Sequence, residues 1–299
     1  MIDILLSYKN VFDSICINVI LTFSIYATLA AGMFALANIG FMAIGAYVSA
    51  ILTTHFGFDF ISANVAALLL AGSGAYSLGK PVLKLRGDYL AVATIAFGEI
   101  IRTVALNADS LTGGALGLNN IPQYTSTWML ALFVALLAVF FIVVQRTQFG
   151  TAIRAIRDDE VVTSSFGIHV KRYKLVIFIF SSIVAAEAGV LSAHLNYFIS
   201  PTEFTFHHEV QVLAFSIFGG IGHWLGAIIG AGTLTLLPEV LREIGTYKEF
   251  AIGLVILGTI IYRPYGLYSI IDSLIHRRSH NKHIDSKHRT DEGVASTQQ

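Results

Sequence analysis

RTQFGTAIRAIRDDEVVTSSFGIHVKRYK, residues 146–174, interrupts two apolar runs with six basic and three acidic side chains. The segment is too charged for hydrocarbon and too regular for a loose loop. Ala152, Ile153, Ala155 and Ile156 recur at helical spacing. The basic Arg154 and Arg157 lie among them, the acids Asp158, Asp159 and Glu160 follow, and Gly150 and Gly167 bracket the whole. The pattern predicts a short amphipathic helix on a cytoplasmic surface, offered to a partner.

The 299-residue chain around it is 55% hydrophobic and 13% charged, whereas soluble domains run near ~25% charged. The predicted fold class is all-α, a polytopic membrane protein in contact with membrane lipid. Lys plus Arg and Asp plus Glu balance at 19 each. Net charge therefore singles out no partner, and no nucleic acid is expected. The single cysteine, Cys16, lies in an apolar run and predicts a buried thiol rather than a disulfide. Residues 1–13 lack a basic region followed by a cleavage site, so the first span is expected to be uncleaved.

No Lys, Arg, Asp or Glu occurs from Ser14 to Phe58. That is room for two spans of about 20 residues. The turn-like Asn38-Ile39-Gly40 divides them into 15–37 and 41–57. Further spans are expected at 61–79, 89–107, 127–145 and 174–197, with a Gly-rich loop over 109–126. Two shorter apolar runs, 208–218 and 224–237, flank Gly219-Gly220-Ile221-Gly222. As helices they measure roughly 16–22 Å against a ~30 Å hydrocarbon core, and read as two short spans or one re-entrant pair. A last span covers 247–262, for about nine segments in all. Residues 1–275 form the transmembrane domain, and 276–299 a polar tail expected to be disordered.

Charge sets the orientation. Lys and Arg number three in 80–87, six in 146–174 and six in 263–299, fifteen of nineteen. Placing these segments inside puts the N-terminus out and the C-terminus in. An even number of crossings must then separate the central segment from the tail, so 207–238 contributes two passes or a hairpin.

Few residues suggest chemistry. Gly74 to Pro81 nearly spells a phosphate-binding loop, but Pro81 stands where a magnesium-binding Ser or Thr is required, and no strand precedes it. Gly222, Gly226 and Gly230, spaced by four, predict a close helix–helix contact. Glu99 and Arg102 can pair on one helix face. Glu187 sits in the middle of an apolar span, either lining a path or paired inside, with Arg102 as one partner, or else serving structure alone. These three ionisable residues are the candidates for a translocation path. His276, His280, His283 and His288 in the tail read as solvated surface, and no metal site, cofactor or catalytic constellation is expected.

Four stretches together resemble the LivM-type permease family of branched-chain amino-acid ABC importers. They are Gly87-Asp88-Tyr89-Leu90-Ala91 with Thr94 and Phe97-Gly98-Glu99-Ile100-Ile101-Arg102; Thr112-Gly113-Gly114 with Gly117-Leu118 and Ile121-Pro122; Gly150 through Asp159-Glu160 to Gly167-Ile168; and Gly219-Gly220-Ile221-Gly222 with Gly226, Gly230 and Arg263-Pro264-Tyr265-Gly266-Leu267. They span about 87–267, while 1–80 match in hydropathy alone. Val162-Thr163 stands where the family has an Ala-Ala pair, His223 where it has Ser or Thr, and Glu187 at an apolar position.

The resemblance implies a permease subunit in a bacterial cytoplasmic (inner) membrane, itself not an enzyme. Its partners would be ABC ATPase subunits, a LivH-like second permease subunit and an extracytoplasmic solute-binding protein. Gly150, Arg154, Arg157, Asp158, Asp159, Glu160 and Gly167 would form the ATPase-coupling segment. The implied substrate is a branched-chain or hydrophobic amino acid; related importers carry urea, short amides or other amino acids. A proton-coupled secondary transporter using Glu99, Arg102 or Glu187 is the alternative class.

Overall fold

The computed structural model describes residues 2–241, 248–262 and 266–267. The Arg263-Pro264-Tyr265 motif and the 276–299 tail lie outside these. Among the described residues nine helices carry the apolar runs: α1 (Ile2–Ala30), α2 (Asn38–Thr54), α3 (Phe60–Val82), α4 (Asp88–Asn107), α6 (Thr127–Gln145), α9 (Val170–Asn196), α10 (Phe206–Gly219), α11 (Trp224–Val240) and α12 (Lys248–Tyr262). Three short helices sit outside the bundle: α5 (Asp109–Thr112), α7 (Gln148–Asp158) and α8 (Glu160–Ser165). Five of the helices are long and apolar enough to cross a membrane.

The core is α1, α2 and α9. Small residues let α2 and α9 touch through their backbones. A Cβ on Gly45 would lie 2.1 Å from the Ala186 carbonyl oxygen, and one on Gly189 would lie 2.0 Å from that of Met42. Without a hydrophobic drive between helices in lipid, such contact and interhelical hydrogen bonds hold a bundle together. Here Asn38 Nδ2 donates to Ser24 Oγ at 2.7 Å and to Ser181 Oγ at 3.0 Å, and Ser181 Oγ donates to the Ser24 carbonyl at 2.8 Å. The outward faces stay apolar. On α6, Trp128, Leu132, Leu136, Val139 and Val143 are all more than half exposed, as a membrane- or subunit-facing surface would be.

The α1–α2 boundary is not where the sequence placed it. Asn38-Ile39-Gly40 is no turn; it is the first turn of α2 and fully buried. The helix breaks earlier, at Gly32, which has φ +69°, and 33–37 run without helix to Asn38. Since Asn38 bonds Ser24, six residues before the end of α1, α2 starts roughly 9 Å inside the bundle. Irregular backbone at such depth is tolerated only where protein buries it. Accordingly Met33 N–H donates to the Thr28 carbonyl at 3.0 Å, and Leu36 N–H donates to Thr94 Oγ1 at 2.8 Å.

The two runs after residue 206 are separate helices packed as a hairpin. A Cβ on Gly226 would meet the Gly220 carbonyl oxygen at 2.2 Å, and one on Gly230 that of Phe215 at 2.0 Å. Gly222 departs from the expected stripe: it precedes α11 in the connecting turn, with nothing within 4 Å. The hairpin tip shares a cavity with Gly150 and Arg154, whereas Ile199, ahead of α10, pairs with Leu118 beyond the other end of the bundle. The pair therefore reaches toward both ends of the bundle.

The Gly-rich 109–126 segment is an ordered cap. Leu118 and Ile199 exchange N–H···O bonds at 2.9 and 3.1 Å. At Gly117, φ is +75° and a Cβ would strike the Ile199 carbonyl oxygen at 2.3 Å. Gly74–Pro81 belong to the last turns of α3, the helix end that Pro81 implied rather than a phosphate-binding loop.

Candidate functional site

The 146–174 segment folds into two helices, where the sequence suggested one. Thr147 Oγ1 accepts from Gly150 N–H at the start of α7. Gly150 is small because a Cβ there would lie 2.2 Å from the Val144 carbonyl oxygen, which folds α7 back against the end of α6. The break comes at Asp159. Its extended backbone leaves α7, and its Oδ1 accepts from Val161 and Val162 N–H at 2.8 and 3.0 Å as the N-cap of α8. Gly167, with φ +82°, turns the chain after α8 toward α9.

The charged residues of this segment have different surroundings. Asp159 is a cap, and Glu160 pairs with Lys174, fastening α8 to α9. Arg154 and Arg157 line a cavity beneath α7 and also remain exposed to solvent. Asp158 is exposed and lies 3.7 Å from Arg157 Nε. What α8 offers outward is apolar: Val161 is 69%, Val162 53% and Phe166 81% exposed. Of the Val162-Thr163 departure from the family pattern, only Val162 can meet a partner. Thr163 is buried, its hydroxyl donating to the Asp159 carbonyl at 2.6 Å.

The linker between α1 and α2 lies directly under α7. A Cβ on Gly32 would be 3.2 Å from Arg157 Cα, so α7 packs closely on the bare backbone at Gly32.

Within the bundle, Glu99 and Arg102 form their pair at 2.9 Å. Glu99 also accepts from Phe206 N–H at 3.3 Å, at the start of α10. Glu99 lies eleven residues along α4, about 16 Å from its first residue. Yet its side chain is 40% exposed and that of Arg102 is 29%. An ionised pair at such depth is too costly to leave facing acyl chains, so this face requires water or a second protein.

Sequence reasoning missed Glu209. It is 3% exposed, and its Oε2 accepts from Ile39 N–H at 2.7 Å. A carboxylate from α10 thus caps the buried N-terminus of α2, where donors are otherwise unmet. Glu99 and Glu209 line one cavity of about 10 Å³, room for about one water. A spacing rule within one helix cannot find this cap, because cap and helix are 170 residues apart.

Glu187 is not paired with Arg102. It is buried between α9 and α3 and accepts from Asn64 Nδ2 at 3.3 Å. Glu187→Gln keeps that acceptor, so near-parental uptake in cells is expected; loss of uptake with normal expression would give Glu187 a role in the path. His223 is a helix cap. Its Nδ1 accepts from Leu225 N–H at 3.2 Å as the N-cap of α11.

Comparison with known proteins fits this arrangement. Residues 7–262 match the family described as "Branched-chain amino acid transport system / permease component". The high-affinity branched-chain amino acid transport system permease protein LivM of Escherichia coli K12 is 34% identical over 270 residues, covering 79% of this chain and 64% of that protein. A probable LivM of Methanocaldococcus jannaschii is 25% identical over 79% of each chain. A probable LivH of the same organism is 24% identical over 76% of this chain and 80% of that one. The chain thus spans about 64% of the length of the Escherichia LivM. With the match running through eight of the nine apolar helices and most of the first, the chain belongs to the family of branched-chain amino acid transport system permease components.

Proposed function

We propose that this chain is a membrane permease subunit of an ATP-driven importer for branched-chain or other hydrophobic amino acids. ATP hydrolysis belongs to separate cytoplasmic ABC ATPase subunits. A LivH-like second permease completes the path, and an extracytoplasmic solute-binding protein delivers substrate to the 109–126 cap. The setting is a bacterial cytoplasmic (inner) membrane. The observation that carries the reading is α8. It presents Val161, Val162 and Phe166 outward on the positively charged side of the chain, between two helices that enter the bundle. Exposed apolar side chains of this kind mark a protein contact. The half-exposed Glu99–Arg102 pair supports a second subunit or a wet path on the α4 face. In this reading Arg154, Arg157, Asp158, Asp159 and Glu160 hold the ATPase interface, Asp159 also capping α8 and Glu160 also tying it to α9, while Gly150 and Gly167 set the ends of the coupling segment.

The tagged chain, gently extracted from its native host, is expected to bring down an ATPase and a second, similar permease. Val162→Asp with Phe166→Asp should reduce ATPase recovery by at least about tenfold, as loss of central apolar contacts does. The permease itself should stay in the membrane. Transport by the chain alone in ATP-free vesicles would refute the proposal.

A further inference from the structure

A cavity of about 250 Å³ opens between the cytoplasmic halves of α1, α6 and α9, beneath α7. Its interior is apolar. Phe140 and Phe141 of α6 and Val176 and Phe180 of α9 line it, fixed by Phe140–Phe180 stacking at 4.6 Å and Phe141–Phe23 stacking at 5.1 Å. Its volume far exceeds the ~30 Å³ share of a single water.

The rim is cationic. Arg154 and Arg157 stand one turn apart on the same face of α7, and among the described residues no Asp or Glu lines the cavity. Their existing contacts leave donors free. Arg154 makes bonds of 3.4 Å to the Gln145 carbonyl and 3.3 Å to Thr151 Oγ1, and Arg157 approaches Asp158 through Nε at 3.7 Å. A guanidinium has five donors in a fork suited to phosphate. Tyr26, 4% exposed, lies beside them; its hydroxyl accepts from Gln145 Nε2 at 3.3 Å, which leaves its proton to give. The adjoining α6 face, with Val139 and Val143, is open. The charge distribution along the chain puts this end of the bundle at the cytoplasmic leaflet, where anionic lipids concentrate.

We propose that the cavity binds an anionic phospholipid of the cytoplasmic leaflet. One acyl chain lies against the phenylalanines, and the phosphate is held by Arg154, Arg157 and the Tyr26 hydroxyl. Free phosphate would satisfy the same cations but leave the aromatic walls uncovered, so the lipid is the occupant that meets both halves. The lipid seats α7 against α1 and α6 from the membrane side, leaving α8 to face the soluble side.

The test uses the full-length chain purified in mild detergent and titrated with phosphatidylglycerol or phosphatidylethanolamine, with bound lipid counted by native mass spectrometry. The expected result is one retained phosphatidylglycerol, preferred by about tenfold, the scale set by two cations at an anionic headgroup. R154Q combined with R157Q should erase the preference. Ala27→Phe, which fills the cavity and leaves both arginines in place, should abolish retention of either lipid. Equal retention of the two lipids by the parent chain, or undiminished preference in the double variant, would overturn the proposal. Displacement of the lipid by equimolar inorganic phosphate would make this a phosphate site instead. A cysteine placed at Val176 that cross-links to a partner protein in native membranes would assign the cavity to a protein side chain.

Discussion

Leucine in place of Gly189 is expected to leave almost no folded chain in the membrane. A Cβ at that position would lie 2.0 Å from the Met42 carbonyl oxygen and 3.0 Å from the Ala46 nitrogen, and the reciprocal contact at Gly45 is equally tight. The obstacles are backbone atoms of another helix, so no rotamer change relieves them. The only relief is separation of α2 from α9, which also breaks the Asn38–Ser181 bond. Overpacking a core costs about 1–3 kcal/mol where side chains can adjust; a backbone collision lies at or above that range. Size-exclusion recovery and thermal unfolding in detergent would read the effect. Gly232→Leu is the control, since a Cβ there meets nothing within 4 Å, and it should behave like the parent. Parental recovery and melting of the Gly189→Leu chain would show that this contact is not what holds the bundle.

The second large effect is expected at Glu209. Leucine there removes the acceptor for the buried Ile39 amide. Each buried donor left unmet costs about 1–3 kcal/mol. The consequence should be a clear drop in melting temperature together with loss of uptake, because α2 loses the group that fixes its inner end. Glutamine keeps an acceptor and should recover most of the stability. If leucine and glutamine behave alike, the cap is not what Glu209 provides.

Much of this fold was written in local patterns. The limits of α6 could be read directly, because Ser126 and Arg146 bound an unbroken apolar run between them. The charged segment was recognisable for the same reason, in reverse. Features set by distant groups were hidden. Nothing near Asn38 announces that a carboxylate from α10 will cap it, so a helix start was taken for a turn. The α7–α8 break escaped because Asp159 reads as one of three consecutive acids, and only its backbone conformation reveals a cap. Glycine spacing identified Gly226 and Gly230 but overran the helix at Gly222. It also passed over Gly45 and Gly189, which lie on different helices and form no repeat in sequence. At the candidate site, the Glu99–Arg102 pair was legible from its spacing, whereas the pairing imagined for Glu187 was not made, Asn64 being its partner.

The contact of Gly32 with Arg157 Cα has a mechanical consequence for the proposed transporter. Stroke applied at α7 would meet the linker at Gly32, which itself brings no side chain to absorb it. The linker leads straight to the inner end of α2, which Glu209 clamps beside Glu99. Force generated outside the membrane thus has a short, stiff route to the centre of the bundle that bypasses the long levers of α6 and α9. A larger residue at position 32 would act as a wedge in that linkage, altering the timing of the stroke before it altered the affinity for cargo.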